Sequence, residues 1–325
     1  MRVSLIVTVF NEEKSVAALL DSIIAQSRQP DEVVIVDGGS SDRTVDILRS
    51  YEDKLPLNII VEPGSNISRG RNLAIRAASG DIIASTDAGV RLASRWLQEL
   101  IKPFGSSEKI GSNLSPVSCG FFIADPQTTF EIAMGATVLP SIEEIDAEAY
   151  LPSSRSIAYA KEAWQAVGGY PEWLDYCEDL IFDFNLRRCG YPFIWVPKAI
   201  VYLRPRSSLG AFFKQYHRYA RGDGKANLWF KRHLVRYLSY LLAMGILIGG
   251  FWLPPLWALI VLGVGIHAYR PYRRLLPQIR RLSITEKIKA IIYVSVIRLV
   301  GDVAKMVGYP AGLWWRLVMK RALGR

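Results

Sequence analysis

The stretch IIASTDAGV (residues 82–90) is an apolar, β-prone run that reaches a single carboxylate, Asp87, and stops at alanine and glycine. A short apolar run that ends in turn residues is typical of a buried strand in a parallel sheet. In open α/β sheets, ligands bind beyond the carboxyl ends of the strands. Asp87 is therefore the first candidate for a functional residue.

The segments around this strand alternate between strand-like and helical patterns. The strand-like runs are VSLIVTVF, EVVIVD, LNIIVE and DIIAST, and the helical runs are SVAALLDSIIAQS, SSDRTVDILRSY and NISRGRNLAIRAAS. This order predicts an α/β fold with a mostly parallel sheet and helices on both faces. Thr8, Asp37 and Asp87 end three of the strands, so we expect them to face one crevice.

The charge of the chain is concentrated at its carboxyl end. The formal net charge is +10, but residues 231–325 contain 16 Lys and Arg against two acids, whereas residues 1–230 contain 24 against 28. Basic chains often bind nucleic acid, yet here the basic residues alternate with long apolar runs and no nucleic-acid motif is present. We therefore predict a membrane partner, with basic residues on the cytoplasmic side, and no nucleic acid.

The apolar tail has two parts. Residues 237–269 carry no charge over 33 positions and are interrupted by a Pro-Pro pair. Each half is only about 16 residues long, whereas a span needs about 20. A helical hairpin or re-entrant pair would keep both basic flanks on one side, and a single tilted span is the alternative. Residues 288–315 predict either an interfacial amphipathic helix or an inserted helix with a polar stripe.

These patterns predict two domains, a catalytic domain at residues 1–230 and a basic, hydrophobic membrane region with C-terminal membrane helices at residues 231–325. Three cysteines, an odd number, show no paired metal-ligand spacing and no disulfide framework. A reducing environment fits this composition. We expect a location at the cell membrane with the catalytic domain facing the cytoplasm.

Six motifs in the first 225 residues resemble a known family. In order, they are VSLIVTVFNEEKSV, DEVVIVDGGSSDRT, SRGRNLAIRAASGDIIASTDAG, VGGYPE, CEDLIFDFNLRRCGY and QYHRYARG. Their sequence and order are similar to those of family 2 glycosyltransferases, which have the GT-A fold. The resemblance implies transfer of a sugar from a nucleotide-sugar donor to an acceptor, with inversion at the anomeric carbon.

The resemblance implies a donor site along the first strand ends. Phe10 can stack on the base, while Thr8 or Glu12 can hydrogen-bond the base edge or the ribose. Asp37 matches the aspartate that reads the base, although an aspartate before GGSSD is also typical of a turn. Arg71 matches an arginine near the diphosphate, where a guanidinium forks well onto phosphate.

The resemblance also implies a divalent metal, Mg²⁺ or Mn²⁺, at Asp87. Family members usually carry Asp-x-Asp here, but the second position is Gly89, which has no side-chain oxygen. Asp87 with diphosphate oxygens and water would still suit Mg²⁺, and His217 is a possible additional ligand. The alternative is a site without metal, in which Arg218 and Arg221 neutralise the diphosphate.

The acidic pair Glu178 and Asp179 is the strongest catalytic candidate. An inverting transfer needs a carboxylate that takes the proton of the acceptor hydroxyl. The pair lies where a helix is expected to begin, and the helix dipole favours ionised carboxylates there. By resemblance, Asp179 is the base, and Glu178 orients it or binds the acceptor.

The motif around Gln215 resembles the Gln-x-x-Arg-Trp motif of processive family members. The resemblance implies acceptor binding by Gln215 and Tyr219 and a diphosphate contact for Arg218. Tyr219 replaces the tryptophan, but its ring face can still stack on a sugar. The alternative is an amphipathic helix whose basic residues meet lipid headgroups.

Together, these features predict a membrane-attached inverting glycosyltransferase with a nucleotide-sugar donor and a lipid-linked or saccharide acceptor, acting in glycan or polysaccharide synthesis. The alternative is a non-catalytic sugar-nucleotide-binding or scaffolding subunit, for which the missing second aspartate is the best support. A nicotinamide-dependent dehydrogenase is excluded because FNEEKS follows the first strand in place of Gly-x-Gly-x-x-Gly.

Overall fold

A computed structural model describes residues 1–105 and 113–322. The chain divides into two compact units. The first unit contains residues 1–125 and 141–204, and the second contains residues 126–140 and 205–325. The last residues of the predicted membrane region, 323–325, lie outside the described residues.

The first unit is built on one sheet, which has eight strands in the described residues. The strands are β1 (Val3–Val9), β2 (Glu32–Asp37), β3 (Leu57–Val61), β4 (Ile82–Asp87), β5 (Val90–Leu92), β6 (Val117–Ala124), β7 (Ile157–Ala160) and β8 (Phe193–Leu203). Their order in the sheet is β3-β2-β1-β4-β7-β6-β8-β5.

The sheet is mixed, which corrects the prediction of a mostly parallel one in its second half. Strands β3, β2, β1 and β4 are parallel, as the alternation of strands and helices predicts. Strand β7 is antiparallel to both of its neighbours, and β5 is antiparallel to β8. Parallel neighbours are usually joined by a helix that packs on the sheet. The helix between β6 and β7, Thr129–Val138, belongs to the second unit instead.

The described residues form eleven α-helices. They are α1 (Val16–Ile24), α2 (Thr44–Arg49), α3 (Ile67–Ala77), α4 (Trp96–Leu100), α5 (Thr129–Val138), α6 (Lys161–Ala166), α7 (Glu178–Arg188), α8 (Leu209–Ala226), α9 (Phe230–Gly249), α10 (Leu256–Gln278) and α11 (Ile284–Ala322). Helices α5 and α8 to α11 belong to the second unit.

Helices cover both faces of the sheet, as predicted. Successive residues of a strand point to opposite faces, so Leu5 of β1 packs in one apolar cluster and Ile6 in the other. The first cluster includes Leu19 of α1, and the second includes Ile75 of α3. This two-sided core fixes the positions of the strand ends.

The second unit is a helical assembly in which α8 and α11 pack closely. Gly224, Gly308 and Gly312 make this approach possible, because a Cβ at any of them would collide with the backbone of the facing helix. Helix α5 joins this unit through an apolar cluster that contains Phe212, Leu275 and residues of α11. The domain boundary predicted at residue 230 therefore lies inside the second unit.

The predicted C-terminal membrane helices are not supported. Residues 237–269 form most of α9 and α10, with the Pro-Pro pair in the turn between them. Among the helices of the described residues, none combines the length and the apolar character that a membrane crossing requires. The physical reason lies in the sequence, since the proline pair interrupts the run and basic residues occupy its two ends.

The polar stripe of residues 288–315 connects helices inside the second unit. Asp302 is buried, and its carboxylate pairs with Arg236 Nε at 3.0 Å and lies 2.9 Å from His267 Nε2. The hydroxyl of Tyr240 donates to the same carboxylate at 3.2 Å. The charge in this apolar helix therefore has partners on both α9 and α10.

Candidate active site

Three predicted site residues meet at the carboxyl edge of the parallel strands. Thr8 of β1 is paired in register with Asp87 of β4, and the next residue of β1, Val9, is paired with Asp37 of β2. Neighbouring strands lie about 4.8 Å apart. The three residues therefore lie at one edge of the sheet, with Thr8 and Asp87 on one face and Asp37 on the other, because successive strand residues alternate in direction. A shared crevice and the roles of the three residues stay predictions.

Asp37 uses its carboxylate to hold the turn that follows it. Oδ1 accepts hydrogen bonds from the backbone N–H groups of Gly39 at 2.9 Å and Ser40 at 2.8 Å, and Oδ2 accepts from the Ser40 hydroxyl at 2.5 Å. The residue is fully buried. The structure thus shows the turn function of Asp37, and its contact with a base stays a prediction.

The loop after β1 presents an aromatic ring at this edge. Phe10 is exposed, and its ring lies beside Gly38, where a Cβ would be 3.4 Å from the ring. Asn11 has a left-handed backbone, and its side chain accepts a hydrogen bond from the Ser41 N–H at 2.9 Å. Glu12 accepts a hydrogen bond from the Ser15 hydroxyl. The loop is therefore tied to its neighbours while the Phe10 ring remains accessible.

Arg71 joins two parts of the predicted site. Its Nη2 lies 2.8 Å from Asp87 Oδ1 at the end of β4, and its Nη1 lies 2.5 Å from Glu178 Oε1 at the start of α7. The Arg71 side chain is only 3% exposed. Burial alone would lower its pKa, but the charges of Asp87 and Glu178 raise it above the usual value. Arg71 therefore acts as a permanently charged cross-link, and its predicted diphosphate contact stays a prediction.

The acidic pair begins helix α7, as the sequence indicates. Cys177, which precedes the pair, has a left-handed backbone with φ of 65°, a conformation that is costly for a residue with a Cβ. Asp179 Oδ1 accepts a hydrogen bond from the Leu180 N–H at 2.9 Å. The helix start therefore holds both carboxylates in fixed positions.

Burial changes the protonation of this pair. Burial and the adjacent charge of Asp179 raise the pKa of Glu178 to about 7, although Arg71 opposes the shift. Burial also raises the pKa of Asp179, against the opposing charges of Arg71 and Arg155. One carboxyl group of the pair can thus retain a proton near neutral pH while the other is ionised.

Sequence reasoning missed Arg155. Its Nε lies 3.1 Å from Asp87 Oδ2, so the two oxygens of Asp87 face two different guanidinium groups. Burial would raise the pKa of Asp87, but the charges of Arg155 and Arg71 hold it below its usual value. One signal was available, because Arg155 is the only basic residue in the otherwise acidic segment 140–160.

Asn72, which follows Arg71 and with it matches an Arg-Asn pair of the family near the diphosphate, fastens the VGGYPE segment to α3 in the structure. Its Oδ1 accepts from the Tyr170 N–H at 2.9 Å and from Trp164 Nε1 at 3.0 Å, and its Nδ2 donates to the Tyr170 carbonyl at 2.8 Å. Gly169 has φ of 75°, and a Cβ there would lie 2.8 Å from Asn72 Oδ1. This contact places the chain that leads into α7.

The side chains around Asp87 do not by themselves form a site for a divalent metal ion. Both carboxylate oxygens of Asp87 are already ion-paired, and Gly89 contributes no side-chain ligand. Within residues 1–105 and 113–322, no group of three His, Cys, Asp or Glu side chains is arranged to hold a metal. Hard divalent cations require several oxygen ligands, so a Mg²⁺ or Mn²⁺ ion at Asp87 would depend on the diphosphate and water for most of them, and this predicted site stays a prediction.

The predicted acceptor residues lie on α8, in the second unit. Gln215 Nε2 donates to the Tyr219 hydroxyl at 2.8 Å, and Arg206 Nε donates to Gln215 Oε1 at 3.1 Å. The pair Gln215–Tyr219 is therefore internally hydrogen-bonded on one helix face. Acceptor binding by these two residues and diphosphate binding by Arg218 stay predictions.

The fold and this edge define the class of protein, an α/β protein with paired carboxylates and guanidiniums at the strand ends. Residues 4–139 match the model of "Glycosyl transferase family 2", and residues 151–319 match that of "Glycosyl transferase family group 2". The chain belongs to the family 2 glycosyltransferases, as the motifs predicted.

The names of two similar proteins refer to succinoglycan biosynthesis and to the transfer of a modified arabinose. The succinoglycan biosynthesis protein ExoA of Rhizobium meliloti is 25% identical over 230 residues, which are 68% of each chain. The undecaprenyl-phosphate 4-deoxy-4-formamido-L-arabinose transferase of Serratia proteamaculans is 32% identical over 108 residues, 31% of this chain and 33% of that protein. Matches to two further glycosyltransferases span only 35% and 22% of those proteins.

A solved structure supports the fold. The mannosyltransferase PcManGT of Pyrobaculum calidifontis, solved in complex with GDP-Man and Mn²⁺, superposes with a TM-score of 0.63. The sequence identity is 19%, and the match covers 94% of this chain and 87% of the mannosyltransferase. The likeness confirms a GT-A-like α/β fold.

Proposed function

We propose that this protein is an inverting glycosyltransferase that acts at a membrane surface and transfers a sugar to a lipid-linked or saccharide acceptor in glycan synthesis. One observation carries the proposal: Arg71 connects Asp87, at the tip of a central strand, to the Glu178–Asp179 pair at the start of α7. A donor-binding edge and a candidate base thus belong to one charged cluster.

Asp179 is the proposed base. It takes the proton of the acceptor hydroxyl while the acceptor oxygen forms a bond to the anomeric carbon and the bond from that carbon to the diphosphate breaks. Attack opposite the leaving group inverts the configuration. The N-terminal position on α7 favours the ionised form, while burial raises the pKa of Asp179 and makes it a stronger base than an exposed aspartate.

Glu178 and Arg71 are positioning residues in this scheme. The ion pair between Glu178 and Arg71 fixes the first turn of α7 against α3 and β4. Because the Arg71 charge also stabilises ionised Asp179, it keeps the base available near neutral pH. The donor nucleotide is proposed to lie along the loop after β1, with its base on the exposed ring of Phe10.

The membrane part of the proposal rests on the exposed apolar surface of α9 and α10. In the turn between these two helices, the side chains of Phe251 and Trp252 are 74% and 80% exposed. Many leucine, isoleucine and valine side chains of both helices are exposed as well. Contiguous apolar patches of this kind mark interaction sites. Basic residues at positions 231–236 and 270–281 flank the apolar part, which suits the headgroups of an anionic bilayer.

A lipid-linked acceptor fits this placement, since a bilayer-bound enzyme meets its acceptor at the headgroup level. The name of the Serratia relative, which refers to undecaprenyl phosphate, supports this class of acceptor. Location at the cytoplasmic face of the cell membrane belongs to the same proposal.

The proposal is tested with purified full-length protein and a panel of UDP- and GDP-sugars. Transfer to polyprenyl phosphate in anionic vesicles is compared with transfer to soluble saccharides, and nucleoside diphosphate release is measured. We expect acceptor-dependent release and a product of inverted configuration. Donor binding without any transfer would favour the non-catalytic subunit, and transfer to soluble saccharides alone would remove the lipid-linked acceptor.

A further inference from the structure

The carboxylate of Asp87 is enclosed by two cations. Arg71 Nη2 lies 2.8 Å from Oδ1 and Arg155 Nε lies 3.1 Å from Oδ2. An incoming metal ion would have to displace one of these ion pairs before it could reach an Asp87 oxygen. Gly89, two residues after Asp87, offers no replacement ligand because it has no side chain. The space around it is open, since a Cβ there would meet no atom within 4 Å.

Arg155 is fixed at the end of β4 by several contacts. Its carbonyl accepts a hydrogen bond from the Thr86 hydroxyl at 2.9 Å, and its Nη1 donates to the Ser153 hydroxyl at 3.1 Å. The adjacent Ser154 hydroxyl lies 3.0 Å from the Tyr170 hydroxyl. The position of the Arg155 guanidinium is therefore set by the strand end and not by a flexible loop.

The side chains of Arg71 and Arg155 differ in solvent exposure. The side chain of Arg71 is 3% exposed, whereas that of Arg155 is 24% exposed and that of Asp87 is 21% exposed. Arg71 is also committed to Glu178 through its second terminal nitrogen. Arg155 is thus the cation of this pair that an incoming anion at the strand edge can reach.

We propose that Arg155 binds the diphosphate of the donor at the position where a divalent ion would otherwise stand, so that donor binding does not require a metal. This inference rests on the proposed function and names a new donor-binding residue. A guanidinium carries a permanent charge and binds phosphate oxygens through two parallel N–H groups. Family members usually carry a second aspartate where this chain has Gly89. The absence of that carboxylate disfavours a metal ion, and the Arg155 cation favours direct binding of the diphosphate.

The step balances without a metal. When the bond between the anomeric carbon and the diphosphate oxygen breaks, the electron pair remains on that oxygen, and the N–H groups of Arg155 stabilise the added negative charge. The proton of the acceptor hydroxyl goes to Asp179. No other reactant is needed.

The first experiment is calorimetric titration of the full-length protein with UDP and GDP, each in EDTA and in Mn²⁺, with uridine and guanosine as ligands that lack the diphosphate. We expect the wild-type protein to bind one nucleoside diphosphate in EDTA, with less than about a threefold change in Mn²⁺. Arg155→Ala should weaken nucleoside diphosphate binding about 10- to 100-fold, the value of one or two charge-assisted hydrogen bonds, and leave nucleoside binding unchanged.

Two variants serve as controls. Arg155→Lys retains the charge without the fork and should show an intermediate loss. Arg28→Ala removes an arginine of comparable exposure that pairs with Asp31 at the surface, and it should leave binding unchanged. Thermal unfolding of every variant identifies any loss that arises from misfolding.

A gain-of-function variant provides the converse test. Gly89→Asp has room for its side chain, and together with Arg155→Ala it should create saturable Mn²⁺ binding and Mn²⁺-dependent nucleoside diphosphate binding. The inference is overturned if wild-type binding disappears in EDTA, returns with Mn²⁺ and is unaffected by Arg155→Ala. If neither UDP nor GDP binds with or without Mn²⁺, the proposed donor class itself fails.

Discussion

The two units of this chain place their charged and apolar side chains in opposite ways. In the first unit, apolar residues fill both faces of the sheet, and a few charged groups are buried in pairs at one edge. In the second unit, charged groups such as Asp302 and Arg236 are paired between helices, while large apolar side chains of α9 and α10 are exposed.

This contrast separates two kinds of function. Burying a charge is costly unless it has a partner, so a paired cluster at a strand edge indicates chemistry. Exposing large apolar groups is also unfavourable, so an uncovered apolar surface indicates a partner. The first unit is therefore where substitutions should affect transfer, and the hairpin of α9 and α10 is where they should affect attachment.

The largest expected effect concerns Asp179 in the first unit. Asp179→Asn removes the proposed base while keeping a similar shape, and a general base contributes about 10²- to 10⁴-fold. We expect kcat for transfer to fall about 10³-fold while the donor Kd changes little. Asp53→Asn, at an exposed turn, is the matched control. Turnover at the wild-type rate in Asp179→Asn would refute the assignment.

The second prediction concerns the cross-link made by Arg71. Arg71→Ala leaves Asp87 and Glu178 without this cation, and breaking a buried ion pair costs about 3–5 kcal/mol. We expect a clear loss of thermal stability together with loss of transfer, whereas Arg69→Ala, on the exposed side of the same helix, should lose little. Equal melting temperatures for the two variants would show that the cross-link does not stabilise the first unit.

A third prediction tests the second unit. Replacing Phe251 and Trp252 with serine removes two exposed rings from the hairpin turn. Since burial of one large apolar side chain contributes about 1.5–3 kcal/mol, affinity for anionic vesicles should fall at least about 10- to 100-fold in a flotation assay. Trp173→Ser, which removes an exposed ring from the first unit, should bind vesicles normally. Undiminished flotation of the double variant would rule out the hairpin as the attachment site.

The smallest effect is the dependence on pH. Burial raises the pKa of Glu178 to about 7 and raises that of Asp179, so the base takes up a proton at a higher pH than an exposed aspartate does. We expect kcat/KM to fall about tenfold per pH unit on the acid side. In Glu178→Gln, the negative charge next to Asp179 is absent. The fall in kcat/KM on the acid side should therefore occur at lower pH. An unchanged profile would show that the pair does not titrate in the catalytic range.

The same pKa shift affects stability with a defined sign. The folded state holds the Glu178 proton more tightly than the unfolded chain, so this group stabilises the protein most below its ordinary pKa and loses that contribution as the pH rises through about 7. Glu178→Gln should therefore show a smaller decrease in melting temperature between pH 5 and pH 8 than the wild-type protein. A parallel decrease in both would contradict this linkage.

Much of the first unit was predictable because local patterns and global fold agree. Alternating strands and helices between residues 3 and 87 predicted the parallel half of the sheet, and strand ends predicted the alignment of Thr8, Asp37 and Asp87. The reversed strand β7 was not predictable, since its short apolar run IAYA carries no information about direction.

The sequence by itself determined the strand ends, the acidic pair before a helix and the family, because these depend on neighbours along the chain. Only the tertiary structure decided that Arg155 lies against Asp87, which is 68 positions away, and that Arg71 joins Asp87 to Glu178. The physical reason is that ion pairing and burial depend on distances in space, which local sequence patterns do not contain.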